Sequence, residues 1–243
     1  MTARRGNYGY DAPYALIAFA GVATLATVLA VASWTTQGHP SFRIAAGYAG
    51  FFGFNAASFF YTTRHGKFRE WENILDGLHL RGEEHVLDLG CGRGAVLNAV
   101  ARRLTTGKVT GVDLWRSIDQ SGNAPEVTLA NARLEGVLER VALETGDMRK
   151  LPFADLTFDV IVSSLAIHNI SARADRATAV TEAMRVLKPG GRLAIADIRT
   201  TALYASTLEA LGATAVTRRR LGWRFWYGNP FAATSLVTGR KAS

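Results

Sequence analysis

Residues Val86 to Gly94 read VLDLGCGRG, and Asp113 follows 23 residues after Gly90. Apolar, strand-forming residues run into Gly90, Gly92 and Gly94, and a helical pattern starts at once. A strand, a tight turn and a helix N-terminus bring backbone N–H groups close to a small charged ligand. A side chain at any of these three glycines would obstruct that approach. Asp113 ends the next apolar run, where a carboxylate can accept both hydroxyls of a ribose. A dinucleotide site prefers G-x-G-x-x-G, with the pyrophosphate on the helix end. Here the spacing is G-x-G-x-G, and Asp88 sits just before it. An acid there repels a pyrophosphate and suits a cation. That favours a sulfonium nucleoside carrying an amino acid over a nicotinamide dinucleotide.

His168 follows a further apolar run, FDVIVSS at 158–164. It has the chemistry of a general base that takes a proton from an acceptor, or it simply shapes a pocket. Asn169 beside it either orients the ring or caps the next helix. Cys91 lies inside the glycine turn, a poor place for a nucleophile. A single cysteine excludes an intramolecular disulfide. No His/Cys cluster has metal-ligand spacing, so no metal is expected.

The elements that position these residues alternate. Lys67–His79 reads as a helix with Phe68, Trp71, Leu75 and Leu78 on one face. Strands are expected at 84–89, 108–112, 140–144, 158–163 and 193–197. Helices are expected at 95–104, 125–135, 173–187 (stopped by Pro189-Gly190-Gly191) and 203–211. Residues 213–219 and 234–238 read as an antiparallel hairpin at a sheet edge. This predicts an α/β fold: a doubly wound, mostly parallel, seven-stranded Rossmann-like sheet with an antiparallel C-terminal hairpin strand.

Ahead of it the composition changes. Tyr14 to Trp34 is 21 residues without a charge, and Ile44 to Tyr61 another 18. At about 1.5 Å per residue, both approach the roughly 30 Å of a bilayer core, so two transmembrane helices are expected. The alternatives are a signal peptide, with Arg4 and Arg5 as its basic start and Ala30-Val31-Ala32 as its cleavage site, or a pair of buried core helices. The length of the first run, the presence of a second and the lack of polar faces favour a membrane hairpin. Ala45, Ala49, Gly53 and Ala57 form a small-residue stripe suited to close helix packing in lipid. Net charge is +8. Arg4 and Arg5 precede the hairpin and Arg64, Lys67 and Arg69 follow it, whereas the intervening loop holds only His39 and Arg43. That bias places both ends, and the large domain, on the cytoplasmic side.

VLDLGCGRG, GVD at 111–113, GDMRKLPF at 146–153, FDVIVSS and RVLKPGGRL at 185–193 together resemble the class I S-adenosylmethionine-dependent methyltransferases. The likeness runs from about Glu84 to Asp197, and the final hairpin extends it over the C-terminal domain. It implies S-adenosylmethionine as cofactor and S-adenosylhomocysteine as product. Asp88 and the Gly90 backbone would hold the methionine end, and Asp113 the ribose. Leu114 or Trp115 would lie on the adenine face, Asp147 would take the adenine amino group, and the Met148 backbone would lie close by. Ser163 to His168 would border the methyl-transfer centre.

The organisation expected is thus a membrane anchor at 1–63, a linker helix at 64–83 and a methyltransferase domain at 84–243. The acceptor expected is a lipid or a lipophilic or amphipathic small molecule, with membrane lipids as further partners. The segment Arg218 to Tyr227 mixes arginines with aromatics, which suits an anionic bilayer surface or stacking on nucleobases. The anchor ranks lipid above nucleic acid. An RNA or protein methyltransferase and a non-catalytic scaffold remain as other readings. Removal of residues 1–63 is expected to spare cofactor binding.

Overall fold

The computed structural model describes residues 4–37, 41–116 and 120–243; the expected loop residue His39 lies outside them. Seven strands form one sheet: β1 (His85–Leu89), β2 (Lys108–Asp113), β3 (Val141–Thr145), β4 (Phe158–Ser164), β5 (Leu187–Asp197), β6 (Thr214–Arg220) and β7 (Ser235–Arg240). Their order is β3-β2-β1-β4-β5-β7-β6, with β7 antiparallel to both β5 and β6 and the other neighbouring pairs parallel. The order reverses at β1, whose C-terminal end carries the glycine turn. That is where ligands bind in sheets of this kind.

Alternation along the strands builds two cores. Val86, Val109, Val160, Val162 and Ala194 face one side. There they meet α3 (Lys67–Leu78) through Trp71 and Leu75, and α4 (Ala95–Ala101) through Leu97 and Val100. Leu87, Leu89, Ile161, Leu193 and Ile195 face the other side. They pack on Val180 and Met184 of α6 (Arg173–Val186) and on Tyr204 and Leu208 of α7 (Thr201–Ala210). α5 (Pro125–Leu134) starts with proline in its first turn, where the missing N–H has no helical partner to lose.

Pro189-Gly190-Gly191 lies inside β5 instead of in a turn before it. The chain stays in the sheet there, with Gly190 at φ +70°, because it pairs with the C-terminal tail: Gly190 N–H donates to Lys241 O and Lys241 N–H to Gly191 O. The register against β4 shifts in the same stretch.

Two long helices precede α3: α1 (Pro13–Gln37) and α2 (Ser41–Tyr61). Among the described residues only α1 is long and apolar enough to cross a membrane, with a mean hydropathy of 2.3 in its most apolar 18-residue window. The expectation of two such spans is not met, because Tyr48, Asn55, Ser58 and three glycines dilute α2. The two helices are antiparallel partners: Trp34 packs on Phe42 at one end and Phe19 on Phe59 at the other. The contact face of α2 drifts off the expected stripe, so that Ala57 is exposed while Phe59 is buried. Steps of four overrun the 3.6-residue turn.

The expected linker range 64–83 holds α3. α2 runs through one π-helical turn, Thr62–Gly66, into α3. The turn is clasped by the C-terminal segment, since the Thr62 hydroxyl donates to Trp226 O and Tyr61 stacks on Trp223 at 5.1 Å. A Cβ on Gly66 would overlap the Arg224 carbonyl. Gly66→Ala is therefore expected to lower the melting temperature by roughly 3–10 °C, the overpacking range for a chain of this size. Gly77→Ala, where a methyl meets nothing, serves as the control and should raise it slightly.

Candidate active site

The ends of β1, β2, β4 and β5 open into one cavity of about 790 Å³. Its floor is the first part of the glycine turn, Gly90 to Gly92. Gly90 N–H donates to Val112 O at 2.8 Å, tying the turn to β2. Gly90 has φ +70° and a Cβ there would overlap that of Ala166, so only glycine lets the turn pass beneath the loop after β4.

Asp113 is gripped from three sides. Its Oδ2 accepts from Gly92 N–H at 2.8 Å, and its Oδ1 accepts from Trp115 N–H at 2.7 Å and Asn123 Nδ2 at 3.2 Å. Gln120 Oε1 accepts from Arg93 N–H at 2.9 Å and covers Gly92. Gln120 and Asn123 were not expected in the site; the only hint is their position just after the Asp113 strand.

Asp88 is 1% exposed, lines the cavity, and has no hydrogen-bond partner on either carboxylate oxygen. Burial pushes its pKa up to about 8; the Leu97 backbone opposes this from beyond hydrogen-bond geometry, and the Asp113 charge adds to it. A buried carboxyl without a partner, at the edge of an open cavity, fits a ligand that brings its own cation. The residues present thus suit the amino-acid end of S-adenosylmethionine.

A pH dependence follows. The unfolded acid ionises near pH 4, whereas the folded one holds its proton to about pH 8. The folded state binds more protons across that window, so this group's contribution to stability falls as pH rises through it. A bound ammonium reverses the preference and expels the proton. S-adenosylhomocysteine should therefore bind more tightly as pH rises from about 6 toward 8, with proton release seen by calorimetry in buffers of different ionisation enthalpy. Asp88→Asn should weaken binding and flatten that rise; an unchanged slope would assign the proton to another group.

Of the other expected residues, Gly90, Gly92, Leu114, Asp147, Met148 and His168 line the same cavity. Asp147 is engaged by Arg149 at 2.6 Å, whose guanidinium holds its carboxyl below the usual range. Gly94, Trp115 and Ser163 do not line it. Gly94 starts α4 with φ +82°. Trp115 packs against the core and donates Nε1–H to Thr145 Oγ1 at 2.9 Å, leaving Leu114 as the residue at the cavity wall. The Ser163 hydroxyl is buried and donates to Leu89 O at 2.9 Å. Its neighbour Ser164 borders the cavity and accepts from Trp71 Nε1 at 2.8 Å.

His168 sits in a single 3-10 turn after β4. Its Nδ1 lies 2.6 Å from Asp197 Oδ1, and its backbone N–H donates to Asp197 Oδ2 at 3.0 Å. Asp197 is fully buried at the end of β5 and also accepts from Ile198 N–H and the Tyr204 hydroxyl. An acid that accepts four hydrogen bonds places the imidazole proton on Nδ1 and leaves Nε2 basic. The orienting residue is thus Asp197, not Asn169. Adjacency of β4 and β5 brings the two together across 29 residues of sequence. The Cys91 thiol is buried and pushed well up by that burial, which makes it inert. Among the described residues no acid, His or Cys cluster could hold a metal.

The segment before α1 packs over this site instead of standing apart with the anchor. The Tyr8 hydroxyl donates to Glu135 Oε1 at 2.9 Å, Gln120 Nε2 donates to Tyr8 O at 3.2 Å, and Asp11 pairs with Gln120 across an isolated bridge. Removing residues 1–63 would strip Gln120 of these partners, so cofactor affinity should fall with the deletion. Polar residues scattered in a short irregular stretch carry no periodic signal, and sequence reasoning passed them over.

Residues 87–195 match a family described as a methyltransferase domain. The chain is 38% identical over 132 residues to a demethylmenaquinone methyltransferase of Lactiplantibacillus plantarum, covering 53% of this chain and 51% of that one. It is 34% identical over 133 residues to a ubiquinone/menaquinone biosynthesis C-methyltransferase of Roseobacter denitrificans, covering 54% and 50%. The chain thus spans about half the length of these curated relatives. A crystal structure of an S-adenosylmethionine-dependent methyltransferase from Aquifex aeolicus superposes with a TM-score of 0.54 at 22% identity, covering 70% of this chain and 89% of that one. At that identity the likeness shows the fold alone.

Proposed function

We propose that this chain, through its S-adenosylmethionine-dependent methyltransferase domain, methylates a lipophilic or amphipathic acceptor at a membrane surface. One observation carries the reading. A single cavity joins Asp88, Asp113 and His168 to Ala15 and Phe19 of the apolar helix α1.

Asp88 and the Gly90 backbone would hold the methionine end of the cofactor, Asp113 the ribose, and Leu114, Asp147 and Met148 the adenine. When bound, S-adenosylmethionine supplies an electrophilic methyl group. His168 Nε2 takes the proton that the acceptor loses, while Asp197 holds the ring in place and offsets the imidazolium charge. Ser164 and Trp71, already bonded to each other, form the wall that orients the acceptor. Direct displacement needs alignment above all, and the packed ends of β1, β4 and β5 give these groups little freedom. The relatives' names refer to quinone substrates, which are lipophilic and so agree with such an acceptor.

In this reading α2 accompanies α1 across the bilayer. Asn55, well inside that helix, is fully buried and accepts from Asn229 Nδ2 at 2.7 Å, so it does not face lipid. Arg4, Arg5, Arg64 and Arg69 flank the domain end of the pair in sequence, a bias that supports a catalytic domain on the cytoplasmic face. Trp223 is 54% exposed and Phe231 fully exposed beside the same end, and both suit the headgroup layer.

The reading is tested by incubating the protein with methyl-labelled S-adenosylmethionine and a membrane extract, then identifying the labelled product. The label should enter a small, solvent-extractable apolar molecule. Label recovered in RNA or in protein would assign the acceptor to another class.

A further inference from the structure

The cofactor residues account for only one end of the cavity. The other end is an apolar mouth lined by Ala15 and Phe19 of α1, Phe59 of α2, and Tyr227 and Ala232 of the C-terminal loop. Phe59 is 4% exposed, meets the Tyr227 ring edge-on at 5.0 Å and lies 6.2 Å from the Phe19 ring. Gly228, at φ +108°, lets the loop close on this point, since a Cβ there would come within 2.8 Å of Asn55 and 3.4 Å of Phe19.

Inward of the rings lies a polar collar. Asp11 binds the Lys67 ammonium at 2.6 Å and accepts from the Tyr227 hydroxyl at 2.8 Å and from Gln120 Nε2 at 3.3 Å. Lys67 is 5% exposed. Because these groups are paired with one another, a hydrocarbon can pass them without stranding a charge. Outward of the mouth, Ile17, Leu25, Phe51 and Phe54 of the two helices are exposed and apolar. The passage is thus greasy at its outer end, sealed from charge in the middle, and chemically equipped at its inner end beside His168.

We infer that the acceptor carries a hydrocarbon tail, and that this tail lies in the mouth between the bases of α1 and α2 and the loop Tyr227–Ala232. The acceptor then reaches His168 sideways from the bilayer and not from the aqueous face. This rests on the methyltransferase reading and adds to it a tail site and a route. A phospholipid acyl chain has similar chemistry, but its headgroup is too polar to pass the collar and reach the inner end.

The full-length protein in phosphatidylcholine–phosphatidylglycerol vesicles is photolabelled with a long-chain alkylphenol bearing a diazirine near its tail end. Labelled residues are assigned by mass spectrometry. Label is expected at Ala15, Phe19, Phe59 and the loop Tyr227–Ala232. Ala15→Trp should reduce it about tenfold, a loss of roughly 1.4 kcal/mol in tail binding. Phe19→Ala, which widens the mouth, should raise it, so the idea does not depend on one variant folding. Calorimetry with S-adenosylhomocysteine on the same samples tests the underlying reading separately. Affinity retained while the label moves would sustain both. Label confined to Ile17, Leu25, Phe51 and Phe54, or label indifferent to Ala15→Trp, would overturn the tail site. Equal labelling of the mouth by a diazirine phosphatidylcholine would show a lipid seat and not an acceptor site.

Discussion

Asp113→Ala is expected to weaken S-adenosylhomocysteine binding by about 100-fold or more, roughly 2.7 kcal/mol. Two hydrogen bonds from ribose hydroxyls to a carboxylate are worth about 1.5–3 kcal/mol each when the acceptor is charged. The same substitution also leaves the Gly92 and Trp115 N–H groups and Asn123 Nδ2 without their acceptor. The turn that must meet the methionine end therefore loosens as the ribose contact is lost. Asp113→Asn keeps the shape and one oxygen, and should fall between the two. Titration calorimetry measures the loss, with melting temperature as the control for folding. A change below about threefold in Asp113→Ala would mean that the carboxylate only organises the turn.

His168→Ala is expected to lower kcat by about 10²- to 10³-fold while leaving cofactor affinity near wild type, the usual contribution of a positioned base. Asp197→Asn should lower kcat less, by about tenfold or more, because it keeps the ring in place but exchanges an obligate acceptor for a side chain that also donates. A purely structural role for the pair would give a different pattern: melting temperature and cofactor affinity would fall together with kcat. Should kcat of a folded His168→Ala fall less than about threefold, alignment alone would account for the transfer.

The legible parts of the site lie close together along the chain. The glycine turn, Asp88 and Asp113 belong to one strand–turn–helix–strand unit, whose geometry local residue types determine almost completely. The strands themselves were readable because β1 and β4 are buried on both faces and so appear as largely apolar runs, interrupted by Asp88 and Asp159. Ser163 and Ser164 show the limit of that reading. Neighbouring strand residues point to opposite faces, and composition does not say which serine faces the cavity. Asp197 was visible as a strand end but not as the partner of His168, because sequence does not state which strand ends are adjacent. Tyr8, Asp11, Gln120 and Tyr227 were invisible as site residues for the same reason, since each acquires its meaning from a contact made more than fifty residues away.

The sequence alone determined the class of sheet, the place of the glycine turn, the acids around it and the apolar character of the N-terminal segment. Each depends on side-chain type and short-range periodicity, which a chain carries whether or not it is folded. The tertiary structure alone decided that α2 continues into α3 and that Asp197 orients His168. It alone also decided that the cavity beginning at Asp88 ends between the bases of two apolar helices. Those are matters of which surfaces meet, and packing settles them only when the whole chain closes on itself.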